Sequence, residues 1–139
     1  MSESLLHRVQ SRVDAPSAEL VPGVFALVRD APRGFESMVY EPLLCTILQG
    51  EKTVEIGGRV ARVPAGHSIL VCHPLPVVSR ITLASPDRPY VALVARLDLA
   101  ELGALAAGLP ATQEAPGRAL DVAPTDPRTL DVLSRAIDL

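Results

Sequence analysis

LLCTILQGEKTVEIGGRVARVPAGHSILV, residues 43–71, decides how this chain reads. Short runs of Leu, Ile, Val and Thr are broken at Gly50, at Gly57-Gly58 and at Pro64-Ala65-Gly66, which marks closely spaced strands rather than helices. Leu43 to Gln49 and Thr53 to Ile56 read as a hairpin closed around Gly50-Glu51, where glycine permits a tight reversal. A second reversal falls at Gly57-Gly58, and strands from Arg59 to Val63 and from His67 to Cys72 follow.

The same pattern extends on both sides. A Pro-Leu-Pro corner at Pro74 to Pro76 leads into Val77, Ser79, Ile81 and Leu83, which alternate with Val78, Arg80 and Thr82 at the period of a strand with one face inward. Ser85-Pro86-Asp87-Arg88-Pro89 turns the chain, and Tyr90 to Leu97 returns with Val91, Leu93 and Leu97 on one side. Seven or eight antiparallel strands between Val24 and Asp98 predict a sandwich or barrel, mainly β with flanking helices. Ahead of it, Leu5, Leu6, Val9 and Val13 sit at helical spacing behind Ser2 as N-cap, and the helix stops at Asp14-Ala15-Pro16. Behind it, Asp98 and Glu101 have capping-box spacing before Leu102, Leu105, Ala106 and Leu109. After a loop over 111–118 and a short strand at Ala119 to Val122, Asp126-Pro127 opens a last helix with Leu130, Leu133 and Ile137 on one seam. The organisation expected is a helix and linker over 1–17, a barrel over 18–98 and a helical segment over 99–139. With no stop signal before Leu139, that segment reads as cut off from a longer protein.

Composition narrows the function. The 139 residues are 48% hydrophobic and 21% charged, enough apolar content to fill one domain's core. Aromatics are only 3%, too few for stacking platforms, and a net charge of −3 lacks the basic excess that phosphate backbones attract. Lys52, the only lysine beside twelve arginines, reads as a trace of GC-rich coding and carries no functional expectation. Cys45 and Cys72 form no C-x-x-C pair and no long apolar span is present, so a cytoplasmic protein with both thiols reduced and buried is expected.

The motifs for chemistry are missing. Gly58-x5-Pro64-x-Gly66 matches the first half of the second cupin motif, but Ile69 stands where metal-binding cupins carry histidine and His73 where they carry asparagine. For the first cupin motif, anchoring on Gly50 puts Glu36, Ser37, Met38 and Val39 at the histidine positions; anchoring on Gly58 puts Leu44, Cys45, Thr46 and Ile47 there. Neither register supplies the imidazoles a transition metal needs. His67 and His73 would lie about 20 Å apart along an extended segment, too far to share an ion. Glu36, Glu41 and Glu55 read as solvated, and no nucleophile elbow or phosphate loop is present, so no catalytic residue, metal or cofactor is expected.

The run Leu48-Gln49-Gly50-Glu51-Lys52-Thr53-Val54, then Pro64-Ala65-Gly66-His67, Leu75-Pro76-Val77-Val78 and Pro89-Tyr90-Val91-Ala92-Leu93 to Leu97-Asp98, resembles the N-terminal domain of AraC-type transcriptional regulators from about Glu19 onward. The resemblance implies a cupin-like barrel that binds a small-molecule effector and pairs subunits as a homodimer, with DNA bound only through a C-terminal helix-turn-helix half absent from this chain. The barrel lining is expected from Leu43, Cys45, Ile47, Val54, Ile56, Ile69, Val71, Ile81, Val91 and Leu93, with His73 at the mouth, and such a lining suits a hydrophobic or weakly polar effector. Leu102, Leu105, Leu130, Leu133 and Ile137 are either core or dimer seam; the resemblance favours the seam. The rival reading is a small cupin-fold enzyme, an isomerase or metal-dependent oxygenase.

Overall fold

A computed structural model describes residues 2–98 and 120–138. In chain order the elements are α1 (Ser2–Arg12), β1 (Ser17–Val21), β2 (Val24–Arg29), β3 (Arg33–Tyr40), β4 (Leu43–Gln49), β5 (Glu51–Ile56), β6 (Arg59–Pro64), β7 (His67–Val71), β8 (Leu75–Leu83), β9 (Tyr90–Arg96), β10 (Leu120–Pro124) and α2 (Pro127–Ala136). The capping box and the helix expected around Leu102 and Leu105 lie outside the described residues. All strand pairs are antiparallel. They form a six-stranded sheet ordered β1-β2-β9-β4-β7-β10 and a four-stranded sheet ordered β3-β8-β5-β6.

The Gly57-Gly58 hairpin is as expected: φ is positive at both glycines, Ile56 pairs with Arg59, and a two-residue turn of this kind matches strand twist. Gly50 corrects the sequence reading. Strands β4 and β5 are not partners; β4 pairs with β9 and β7, β5 with β8 and β6, and Gly50 is the corner at which the chain leaves one sheet for the other. The return corner at Pro64-Ala65-Gly66 lies against it. Ala65 N donates to the Gly50 carbonyl and Gly66 N to the Ile47 carbonyl, both at 3.0 Å.

Just past the corner, the Glu51 carboxylate ties three strands together. It accepts from Arg62 Nη2 on β6 at 2.6 Å and from the Thr82 hydroxyl on β8 at 2.8 Å. The Arg62 and Thr82 hydrogen bonds hold the Glu51 carboxyl below its ordinary value. A depressed carboxylate pKa stabilises the fold above the unfolded value and loses that contribution as pH falls through the folded one. Glu51→Gln is therefore expected to destabilise the fold at pH 7, by less than about 1 kcal/mol because Arg62 is exposed, and to cost less at about pH 4. Thermal melts of both proteins at the two pH values check this.

Two apolar clusters flank the six-stranded sheet. Tyr40, Cys45, Ile47, Val54, Val63, Ile69, Val71, Leu75, Val77, Tyr90 and Ala92 fill the space between the sheets. On the outer face of the larger sheet, Ala26, Leu48, Val91 and Leu93 carry the helices through Leu5, Val9, Leu133 and Ile137. Strands β4 and β9 thus bury both faces, with Cys45, Ile47, Tyr90 and Ala92 inward and Leu48, Val91 and Leu93 towards the helices.

Helix α2 starts as the sequence reading has it: Asp126 accepts from Arg128 N at 2.8 Å and Pro127 opens the first turn. Its C-terminal end is held by α1. Arg8 donates to the Ser134 hydroxyl, to the Ser134 carbonyl at 2.7 Å and to Asp138, and Arg12 donates to the Ile137 carbonyl. These arginines satisfy carbonyls that a helix end leaves without partners.

Candidate functional site

The space between the sheets gathers most of the lining expected from sequence. Cys45, Ile47, Val54, Ile69 and Val71 are buried there, with Leu43, Ile56 and Ile81 partly buried against them. Two expected lining residues go elsewhere. Val91 and Leu93 point from the opposite face of β9 into the cluster under α1 and α2, because strand alternation sends Tyr90 and Ala92 inward instead. His73 is exposed in the link between β7 and β8, past the end of the strand expected to carry it to the mouth. Cys72, expected buried, is exposed, and both cysteines are free. Leu133 and Ile137 are buried within this chain and Leu130 is half-buried beside them, so that seam closes on the barrel rather than on a second subunit.

Sequence reasoning passed over the polar heart of this interior. Lys52 is only 7% exposed. Its Nζ donates to the Tyr40 hydroxyl at 3.0 Å. Among the described residues no carboxylate pairs with it, although a buried ammonium is costly without a counter-charge. Burial works against the charged form of Lys52, and the hydrogen bond to the Tyr40 hydroxyl works for it. Tyr90 is 1% exposed, and its hydroxyl has no hydrogen-bond partner among the described residues. Burial pushes the Tyr90 phenol up, so it remains a protonated donor. The signal for Lys52 was alternation: it shares a strand face with Val54 and Ile56.

Two clefts meet at this group. One of about 320 Å³ runs between β2 and β3 past Phe25, Leu27, Met38, Tyr40, Cys45, Lys52 and Val94. The other, of about 210 Å³, reaches the same Leu27, Met38, Tyr40 and Lys52 and adds Ile81 and Tyr90, with Arg29, Arg33, Arg80, Ser79 and Glu36 around it, Glu36 being paired with Arg33. A third cavity of about 450 Å³ lies away from Lys52, between Val54, Ile56, Ala61 and Leu75 on one side and Leu120 and Val122 on the other. Clefts that bring apolar side chains together with a buried cation and a buried hydroxyl can hold a molecule by its body and orient it by one polar end. It is a poor match for a metal. Among the described residues no three His, Cys, Asp or Glu side chains come together, and Ile69, at the position where metal-binding cupins place histidine, is buried in the apolar core.

The AraC-type transcriptional regulator N-terminus family matches residues 20–139, and the chain belongs to it. It is the N-terminal regulatory domain of an AraC-type regulator, with a cupin-like β fold. Among solved structures, wild-type ToxT from Vibrio cholerae, reported with unsaturated fatty acid bound, matches with a TM-score of 0.58 at 12% identity, over 84% of this chain and 45% of that one. The apo ToxT K231A variant matches with a TM-score of 0.53 at 12% identity, over 84% and 47%. KdgF from Halomonas sp. matches with a TM-score of 0.38 at 16% identity, over 63% and 92%. This chain therefore spans less than half the length of the ToxT chains. No curated protein matches it. Among the described residues no helix is long and apolar enough to cross a membrane.

Proposed function

We propose that this domain senses a small, largely apolar effector bound between the two sheets at Tyr40 and Lys52, and passes its presence to DNA-binding helix-turn-helix motifs elsewhere in a cytoplasmic, homodimeric regulator. The observation that carries this reading is the double burial of β4 and β9. The strands that line the cleft through Cys45 and Val94 also support α1 and α2 through Leu48, Val91 and Leu93, so a ligand that shifts them is felt by both helices. The latch from Arg8 and Arg12 makes those helices move together. Signalling requires only that the effector bind two helix arrangements with different affinity.

The bound unsaturated fatty acid reported for ToxT supports an apolar effector. We assign no turnover to the site, since its interior offers groups that hold a ligand: the buried Lys52, the Tyr40 and Tyr90 hydroxyls, and the apolar side chains of Leu27, Met38 and Ile81. Titration of the protein with cis-unsaturated fatty acids should raise its melting temperature saturably, by mass action on the native state. An unchanged melting temperature across the series at saturating concentration would remove the sensor reading. Pairing of subunits would use surfaces other than Leu133 and Ile137, and sedimentation equilibrium tests it.

A further inference from the structure

We infer that the effector carries a carboxylate, taken by the Lys52 ammonium and the Tyr90 hydroxyl in the cleft that both line; this rests on the sensor reading and names the chemistry of its ligand. Two separate observations lead here. Lys52 is a buried cation with no carboxylate partner among the described residues, and it uses one of its three donors, on Tyr40. In addition, the buried Tyr90 hydroxyl meets no hydrogen-bond partner among the described residues, which is rare for a group so costly to leave unsatisfied. Tyr40 accepts from Lys52, so its own proton is free to point into the cleft as well.

The arrangement fits the two oxygens of a carboxylate: an ammonium for the charge, with phenolic donors beside it. One interior cation matches one negative charge, and Leu27, Met38 and Ile81 match a hydrocarbon or aromatic body rather than a sugar. A phosphate dianion would need more charge than this interior holds, since the guanidinium groups of Arg29, Arg33 and Arg80 belong to residues that are at least partly exposed.

The test compares fatty acids from octanoate to oleate with the alcohols of the same chains, by calorimetric titration of the wild-type chain, Lys52→Met and Tyr90→Phe. Wild type should bind each acid that it accepts at least about tenfold more tightly than the matching alcohol, the worth of a charge-assisted hydrogen bond. Lys52→Met should abolish that preference while keeping the alcohol affinity. Tyr90→Phe, which removes only the unpaired hydroxyl, should remain as stable as wild type and weaken acid binding several-fold, leaving alcohol binding unchanged. Equal binding of acid and alcohol by wild type, or an acid preference that survives in Lys52→Met, would overturn the carboxylate assignment and leave the sensor reading standing. Binding of neither series would overturn both. Should Lys52→Met fail to fold, the Tyr90→Phe result decides alone: an acid affinity unchanged from wild type refutes the assignment.

Discussion

Gly50→Ala should destabilise the domain by about 3 kcal/mol or more, a large share of the stability a small domain possesses. Two effects add. The residue sits at φ +86°, a left-handed conformation that costs an alanine strain. A β-carbon there would also lie 2.6 Å from the Leu83 carbonyl oxygen and 2.9 Å from the Tyr90 α-carbon, and both obstacles are backbone. Relief would require β8 and β9 to part where the chain crosses between sheets, next to the Tyr90 side chain of the effector cleft. Gly57→Ala is the control: it too has positive φ, but a β-carbon meets nothing within 4 Å, so its loss should be limited to about 1 kcal/mol of strain. Urea unfolding of the three proteins reads the difference directly.

Ile137→Ala should cost about 2–4 kcal/mol, because the side chain is fully buried between α2 and the sheet and its removal leaves a cavity. Val132→Ala, on the exposed side of the same helix, should change stability by no more than about 0.5 kcal/mol. The contrast separates two roles that the spacing of Leu130, Leu133 and Ile137 leaves open. If Ile137 belonged to a subunit interface, the wild-type melting temperature would rise with protein concentration and the loss on replacement would change with it; as part of this chain's own core, the loss should be the same at every concentration.

What was legible in the sequence follows from which signals are local. The Gly57-Gly58 hairpin could be read because two adjacent glycines between alternating strands specify one turn geometry. Gly50 could not. A glycine at positive φ looks the same in sequence whether it reverses a strand within one sheet or carries it to the other, and only the long-range partners of β4 and β5 decide. The inward face of β9 was assigned to the wrong parity for a related reason. A strand covered by a second sheet on one side and helices on the other is apolar at every position from Tyr90 to Leu93, so the period of two carries no information there.

The polar centre of the site was within reach but was set aside. Lys52 shares a strand face with Val54 and Ile56, which places it inward, and the shortage of lysine in the chain makes it read as a compositional accident. Its partners Tyr40 and Tyr90 close strand β3 and open strand β9, far apart in sequence, and are united only by the facing of the two sheets. Buried polar clusters assembled from distant strands leave no spacing motif. The final helix shows the opposite case, since Asp126-Pro127 announces its start in two adjacent residues.

The most direct measurement is a two-dimensional amide NMR titration of the domain with a cis-unsaturated fatty acid. Saturable shifts are expected first at Tyr40, Cys45 and Lys52, with smaller ones at Leu48, Val91 and Leu93, where the same strands meet the helices. Shifts confined to the exposed Phe35 of β3 and Val132 of α2, or none at saturating ligand, would contradict an effector site between the sheets.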